Sequence, residues 1–292
     1  MTVGRRADVG LFVASSVKFK PNPPLLLLRR LARSVEKNGV RGGVVRSWQR
    51  LVRSLRNHGL GGTLERAFVK APAAPVREAR PPHPFDVRHG TDTGGYISGA
   101  DLQGVSLSGL YATAYAGVPP SVMTQAIADL PLRPAEFTFV DLGCGKGRAL
   151  LVAAEFPFPR LLGVELATEL CEAARANVAS NADWATRVSI LNQDATTVVY
   201  PDGPLLIFMF HPFLAPVLRK VLANLERQLR RTPREMYLLY ARNPRFTEVM
   251  ERFPFVREVS ETAYPLSAED AAADYFDLAE ETFTLYEADL SR

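Results

Sequence analysis

Residues 137–148, FTFVDLGCGKGR, limit what this chain can fold into more than any other stretch. An apolar, β-prone run ends in Asp141 and passes through Gly143, Gly145 and Gly147 before helical periodicity opens at about Arg148. Glycine admits left-handed backbone and carries no Cβ, so such a loop can turn tightly and bring its backbone close to a ligand. The helix behind it points unpaired N–H groups at the same place.

The segments that follow alternate between β-rich apolar runs and helical periodicity, the signature of a doubly wound parallel sheet. Strands are expected near 137–142, 160–165, 187–191, 204–209 and 235–240, with helices near 147–155, 168–179, 214–229 and 244–252. Two last β-like runs, near 255–261 and 281–287, have no strong helix between them and are expected to pair antiparallel at one edge. A helix near 119–130 opens on two prolines at its first turn. The fold class is therefore α/β: a Rossmann-like, doubly wound, mostly parallel seven-stranded sheet with an antiparallel edge, preceded by a small helical N-terminal extension.

The glycine pattern excludes two common loops. A dinucleotide fingerprint, G-x-G-x-x-G, fails because the sixth position from Gly143 is Arg148. A phosphate loop needs Lys and then Ser or Thr after its last glycine, and Arg148 follows Gly147. What remains is D-x-G-x-G-x-G. With its flanking strand and helix, DLGCGKGR is similar to the first motif of class I S-adenosylmethionine-dependent methyltransferases, and the resemblance runs from about Phe137 to Tyr240.

That resemblance implies S-adenosylmethionine as cofactor, its methionine end held at Asp141, Gly143, Gly145 and Gly147. Glu165 ends the next strand, 24 residues beyond Asp141, where the family places an acid on the ribose hydroxyls; it also suits a helix N-terminus, where an acid complements the dipole. Asp194 is similar to the residue that family members aim at the adenine amine, and it equally suits a turn. Tyr115 lies where related enzymes often place a cofactor-contacting aromatic ring, with core packing as the other reading. The segments FDVRHGTDTGG and YATAYAGVPPSV resemble a bacterial subgroup of these enzymes whose members carry a similar basic helical prefix.

On the acceptor side, the strand LLIFMF delivers His211, Pro212 and Phe213 to the carboxyl end of the sheet, where ligands of such folds bind. The tripeptide is similar to the Asn-Pro-Pro-aromatic signature of amino-group methyltransferases. His211 replaces the amide and one proline is missing, so the resemblance does not fix an amino acceptor. His211 has the pKa range of a base or orienting donor, or it is a structural histidine. Arg242 and Asn243 follow the fifth strand at the same end, Asn243 also suiting a helix cap.

Composition matters for the first 90 residues, which hold 18 Lys/Arg against 5 Asp/Glu, while the remainder holds 17 against 26. Helices are expected at 25–36, 44–55 and 64–70; in the second, Arg46, Arg50, Arg53 and Arg56 share the face opposite Val44, Trp48, Leu51, Val52 and Leu55. Prolines 72, 75, 81, 82 and 84 then make a spacer. The expected domains are a basic helical extension and Pro-rich linker over 1–84 and a methyltransferase domain over 85–292. Residues 86–118, rich in Gly and Tyr, read as a long structured loop, either a functional lid or an ordinary surface connection. A basic arm on an acidic body suits an anionic membrane surface or nucleic acid, or packs on its own domain.

Two cysteines, Cys144 and Cys171, give neither a disulfide framework nor metal-ligand spacing, so a reducing, cytoplasmic location without metal is expected, with a peripheral membrane position left open by the basic arm. The apolar stretch at 9–17 lacks a clear cleavage site, so no signal peptide is expected. The function expected is methyl transfer to a protein side chain or small metabolite. The alternative is a non-catalytic cofactor-binding or assembly protein that works through its basic helices.

Overall fold

A computed structural model describes residues 81–97, 102, 113–241 and 247–290. The helices expected before residue 71, the spacer up to residue 80, and Arg242 and Asn243 lie outside the described residues.

The chain enters through a short helix α1 (Pro84–His89) and a small antiparallel pair, β1 (Tyr96–Ile97) with β2 (Tyr115–Ala116), then helix α2 (Pro120–Ala128). The main body alternates as expected: β3 (Thr138–Leu142), α3 (Arg148–Ala153), β4 (Arg160–Glu165), α4 (Thr168–Ala179), α5 (Ala182–Arg187), β5 (Val188–Asn192), β6 (Leu205–Met209), α6 (Ala215–Arg231) and β7 (Met236–Ala241). It closes with α7 (Thr247–Glu251), β8 (Val256–Pro265), α8 (Ala268–Ala273) and β9 (Glu280–Ala288). The seven strands order as β5-β4-β3-β6-β7-β9-β8, with β5 to β7 parallel and β9 antiparallel to both neighbours. This is a Rossmann-like doubly wound sheet with an antiparallel edge.

β3 and β6 are buried along their whole length, which is why they read as unbroken apolar runs: helices cover both faces of a parallel sheet. Alternate side chains feed two cores. Phe139 and Phe208 stack at 5.8 Å between ring centroids on the face covered by α2 and α3. Val140 and Ile207 face α6, which contributes Leu218, Val221, Leu222 and Leu225 at helical spacing and turns Arg219, Lys220 and Arg230 outward.

The last two strands pair antiparallel as the sequence suggested, but β9 takes the inner place. β9 buries Phe283, Leu285 and Tyr286, whereas β8 carries Arg257, Glu258 and Glu261 on an exposed edge, where charge blocks pairing with another chain. The connection between them holds α8, a helix of six residues. Two further short helices escape periodicity because six residues do not make two turns. α1 begins where the His83 Nδ1 accepts the Phe85 N–H at 3.0 Å and ends on left-handed Gly90; α5 begins where the Asn181 side chain accepts the Asp183 N–H. Within 86–118 the described part is a helix, a strand pair and their links rather than unbroken loop. Among the described residues no helix is long and apolar enough to cross a membrane.

Gly163, mid-β4, marks the tightest packing of the sheet. A Cβ there would sit 2.6 Å from Leu150 Cδ1 and 2.8 Å from both Cys144 Sγ and Ile190 Cδ1. Overpacking of this kind costs about 1–3 kcal/mol, so Gly163→Ala is expected to lower the thermal midpoint by several degrees; an unchanged midpoint would show that α3 yields freely.

Candidate active site

β3 is the strand from which the sheet order runs both ways, to β4 and β5 on one side and β6 and β7 on the other. Beyond the carboxyl ends of strands at such a switch point lies the usual ligand crevice. Here it holds an open-mouthed cavity, about 860 Å³ when the solvent in its mouth is included. Tyr115, Asp141, Gly143, Glu165, Asp194, Pro212 and Phe213 line it. Gly145, Gly147 and His211 are not part of its wall.

The glycine loop takes its shape from three left-handed residues, Gly143, Gly145 and Gly147, with φ of 84°, 54° and 89°. Two of them also lack room for a side chain. A Cβ on Gly143 would meet Pro212 Cβ at 2.3 Å, and one on Gly145 would meet the Tyr115 ring at 2.2 Å. Gly147 acts through its backbone, as the N-cap from which α3 starts. Gly143 and Cys144 donate their N–H groups to the Val164 carbonyl at 2.8 and 3.1 Å, so the loop is fastened to the end of β4.

Glu165 makes a second fastening. Its Oε2 accepts the Gly145 N–H at 3.0 Å and its Oε1 accepts the Ala167 N–H at 2.8 Å, at the start of α4. The helix-terminus reading of Glu165 is thus realised, and a carboxylate has lone pairs left for hydroxyl donors. Asp194 likewise makes a turn, its Oδ1 accepting the Thr196 N–H at 2.9 Å and hydroxyl at 2.8 Å, while it lines the cavity. Tyr115 is buried, packs on Gly145 and donates its hydroxyl to the Thr93 carbonyl at 2.6 Å.

Two carboxyl groups share this wall with little relief. Burial pushes the Asp141 carboxyl well above the usual carboxylate range, and the neighbouring Glu165 charge pushes it further. Burial also raises Glu165, against the lowering effect of its amide donors. Arg148, the cation in the same wall, is already paired with Asp86.

His211 follows β6 with left-handed backbone, φ 49°, uncommon for a residue with a Cβ. The Thr113 hydroxyl donates to its carbonyl, and the Thr113 N–H reaches the Pro212 carbonyl at 3.4 Å. Its Nε2 lies 3.6 Å from Glu281 Oε1 on β9, and its Nδ1 is buried with no partner among the described residues. The rest of the acceptor-side wall is apolar: Phe208, Phe210, Phe213 and Val217. Sequence reasoning missed Thr113 and Glu281 here, since they come from segments joined only by the fold; Phe210, directly before the tripeptide, and Arg148, the last residue of the glycine motif, were within reach.

A seven-stranded sheet with an inserted antiparallel strand, a glycine loop after β3 and an acid at the end of β4 match the methyltransferase Rossmann-like fold. Residues 139–232 match the family model described as "Methyltransferase domain", which places this region, less than half of the chain, among S-adenosylmethionine-binding domains. Solved structures with similar folds include magnesium protoporphyrin IX methyltransferase from Synechocystis PCC 6803 with bound S-adenosylmethionine, at 11% identity and a TM-score of 0.41, covering 57% of this chain and 76% of that one. Another is the glycopeptide N-methyltransferase MtfA complexed with S-adenosylmethionine, at 13% identity and a TM-score of 0.42, covering 59% and 94%. No curated protein sequence matches the chain.

The residues present suit S-adenosylmethionine, whose cationic methionine end would face the buried Asp141 and whose ribose hydroxyls would find open lone pairs on Glu165. A carboxyl whose pKa is raised in the folded state binds its proton more tightly there, so it stabilises the fold at low pH and loses that contribution as pH rises through the raised value. Ligand-free protein is therefore expected to lose stability upward from the ordinary 3.8 of Asp141. Asp141→Asn is expected to melt above wild type near pH 7, to lose that advantage near pH 4, and to bind S-adenosylmethionine more weakly. A variant that melts below wild type at both values would contradict this.

Proposed function

We propose that this protein transfers the methyl group of S-adenosylmethionine to a protein side chain or a small metabolite presented along Pro212 and Phe213. The observation that carries this reading is one cavity walled on one side by the glycine loop, Glu165 and Asp194 and on the other by Pro212, Phe213 and apolar rings. When bound, S-adenosylmethionine supplies a sulfonium methyl group open to in-line displacement.

In this reading Asp141, Gly143, Gly145 and Gly147 hold the methionine end, Glu165 accepts from the ribose hydroxyls, Asp194 from the adenine amine, and Tyr115 packs against the loop from above. The protein's work is then mainly alignment and exclusion of water, and alignment is worth roughly 7–11 kcal/mol of barrier. The apolar rings keep water from the reacting centre. His211 is the proposed proton acceptor for a protic nucleophile, with Glu281 Oε1 3.6 Å from its Nε2.

Incubation of a cell extract with methyl-labelled S-adenosylmethionine and the protein should place label in either the protein or the small-molecule fraction, and Glu165→Ala should abolish it. His211→Asn should then lower turnover by about 10²-fold or more while leaving cofactor affinity intact. No label in either fraction would count against transfer, and an unimpaired His211→Asn against the base.

The charge of the first 90 residues supports one further element, recruitment to an anionic membrane surface or nucleic acid. Binding to anionic vesicles or to duplex nucleic acid should weaken steeply with salt and vanish when residues 1–80 are removed. Salt-independent binding, or none, would remove this element.

A further inference from the structure

The segment from Asp86 to Gly95 carries a set of polar contacts that the reaction chemistry does not use, and four of them end on Lys146 and Arg148 of the cofactor loop. Asp86 Oδ1 accepts three hydrogen bonds, from the Thr91 hydroxyl at 2.7 Å, the Thr93 N–H at 2.9 Å and the Thr93 hydroxyl at 2.6 Å. Its Oδ2 meets Arg148 Nη2 at 3.3 Å, and Arg148 Nε donates to the Thr93 hydroxyl oxygen at 2.7 Å. Both charged side chains are buried, with 3% of Asp86 and 7% of Arg148 exposed. Gly117 makes room for the guanidinium, since a Cβ there would stand 2.9 Å from it.

A second tie runs parallel to the first. Lys146 Nζ donates to Asp92 Oδ1 at 3.0 Å and to the Gly94 carbonyl at 2.9 Å. The Asn177 side chain closes it, accepting the Asp92 N–H at 2.8 Å and donating to the Asp92 and Lys146 carbonyls at 3.0 and 2.9 Å. Lys146 and Arg148 flank Gly147, so both ties grip the loop where it enters α3.

An ion pair buried this deeply adds little net stability, because desolvation offsets much of its attraction. What it fixes is position. Thr93, which is fully buried, is held by Asp86 and Arg148 through its hydroxyl and amide, and its carbonyl in turn takes the Tyr115 hydroxyl at 2.6 Å. The Tyr115 ring so placed lies on Gly145 and lines the cavity.

We propose that Asp86 is a positioning residue for cofactor binding: acting through Arg148 and Thr93, it seats Tyr115 on Gly145, and residues 86–95 form a latch that sets the pose of the glycine loop. The proposal rests on the cofactor placement given above, so its test must separate the two.

The test is calorimetric titration of S-adenosylhomocysteine into the full chain and its variants. Tyr115→Phe removes only the hydroxyl and is expected to raise Kd about tenfold, the worth of one well-placed hydrogen bond. Thr93→Val should do the same, whereas Thr93→Ser, which keeps the hydroxyl, should bind as wild type. Asp86→Asn should weaken binding to a similar degree, and its combination with Tyr115→Phe should fall short of the product of the two effects, because both act along one line of contacts. If Asp86→Asn does not fold, the Tyr115 and Thr93 variants decide the matter. Wild-type affinity in Tyr115→Phe and Thr93→Val, with binding lost in Glu165→Ala, would overturn the latch and leave the cofactor placement standing. Wild-type affinity in Glu165→Ala would overturn the placement and the latch with it.

Discussion

Three left-handed glycines in one loop, two of them with no space for a side chain, form the constraint on which the rest of this structure depends. Gly143 must pass under Pro212 and Gly145 under Tyr115, with separations that no Cβ could share. For those approaches to hold, β3 and β6 must lie side by side in a buried sheet, so that the ends of both strands arrive at the same place. The fully apolar character of the two strands secures this, and α2, α3 and α6 cover the faces they would otherwise expose. The loop's backbone donors are then spent on the Val164 carbonyl and the Glu165 carboxylate, which ties the first and second strands of the motif into one rigid ligand wall.

Electrostatics in that wall run against ordinary economy. Asp141 is buried and Glu165 half-buried beside it, and the Glu165 charge disfavours that of Asp141. Such an arrangement is expensive without a cationic ligand and favourable with one, a pattern typical of sites that await a charged group. The opposite logic holds behind the loop, where Arg148 and Lys146 are matched by Asp86 and Asp92 and spend their charge on holding the backbone. Crowded carboxyl groups thus face the cavity, and the charges that hold the loop, Arg148 in the wall and Lys146 behind it, are each paired with an aspartate.

Much of this was legible in the sequence because it is written locally. β4 and α4 fall at the residues that periodicity marked, and the glycine loop declares its geometry by composition alone. The inner position of β9 was not legible, since it depends on which of two β-like runs has the more buried face, and that is settled by partners far away in the chain. Helix α1 escaped because its cap is a histidine side chain rather than a Ser, Thr, Asp or Asn. Among the site residues, Glu165 and Asp194 each fulfil the local reading, a helix start and a turn, while standing in the cavity wall, which a single sequence does not show. Asp86 and Arg148 are 62 positions apart, and Glu281 lies 70 beyond His211. Nothing in either local sequence distinguishes these charges from the solvated ones around them.

The central claim is that the cavity between the glycine loop and Pro212 is where S-adenosylmethionine sits. A crystal structure of the full chain grown with S-adenosylhomocysteine tests it most directly. The account predicts ligand density in this cavity, with the ribose against Glu165, the adenine toward Asp194 and the sulfur facing Pro212 and Phe213. Ligand density elsewhere, or this cavity closed by side chains at saturating ligand, would contradict it.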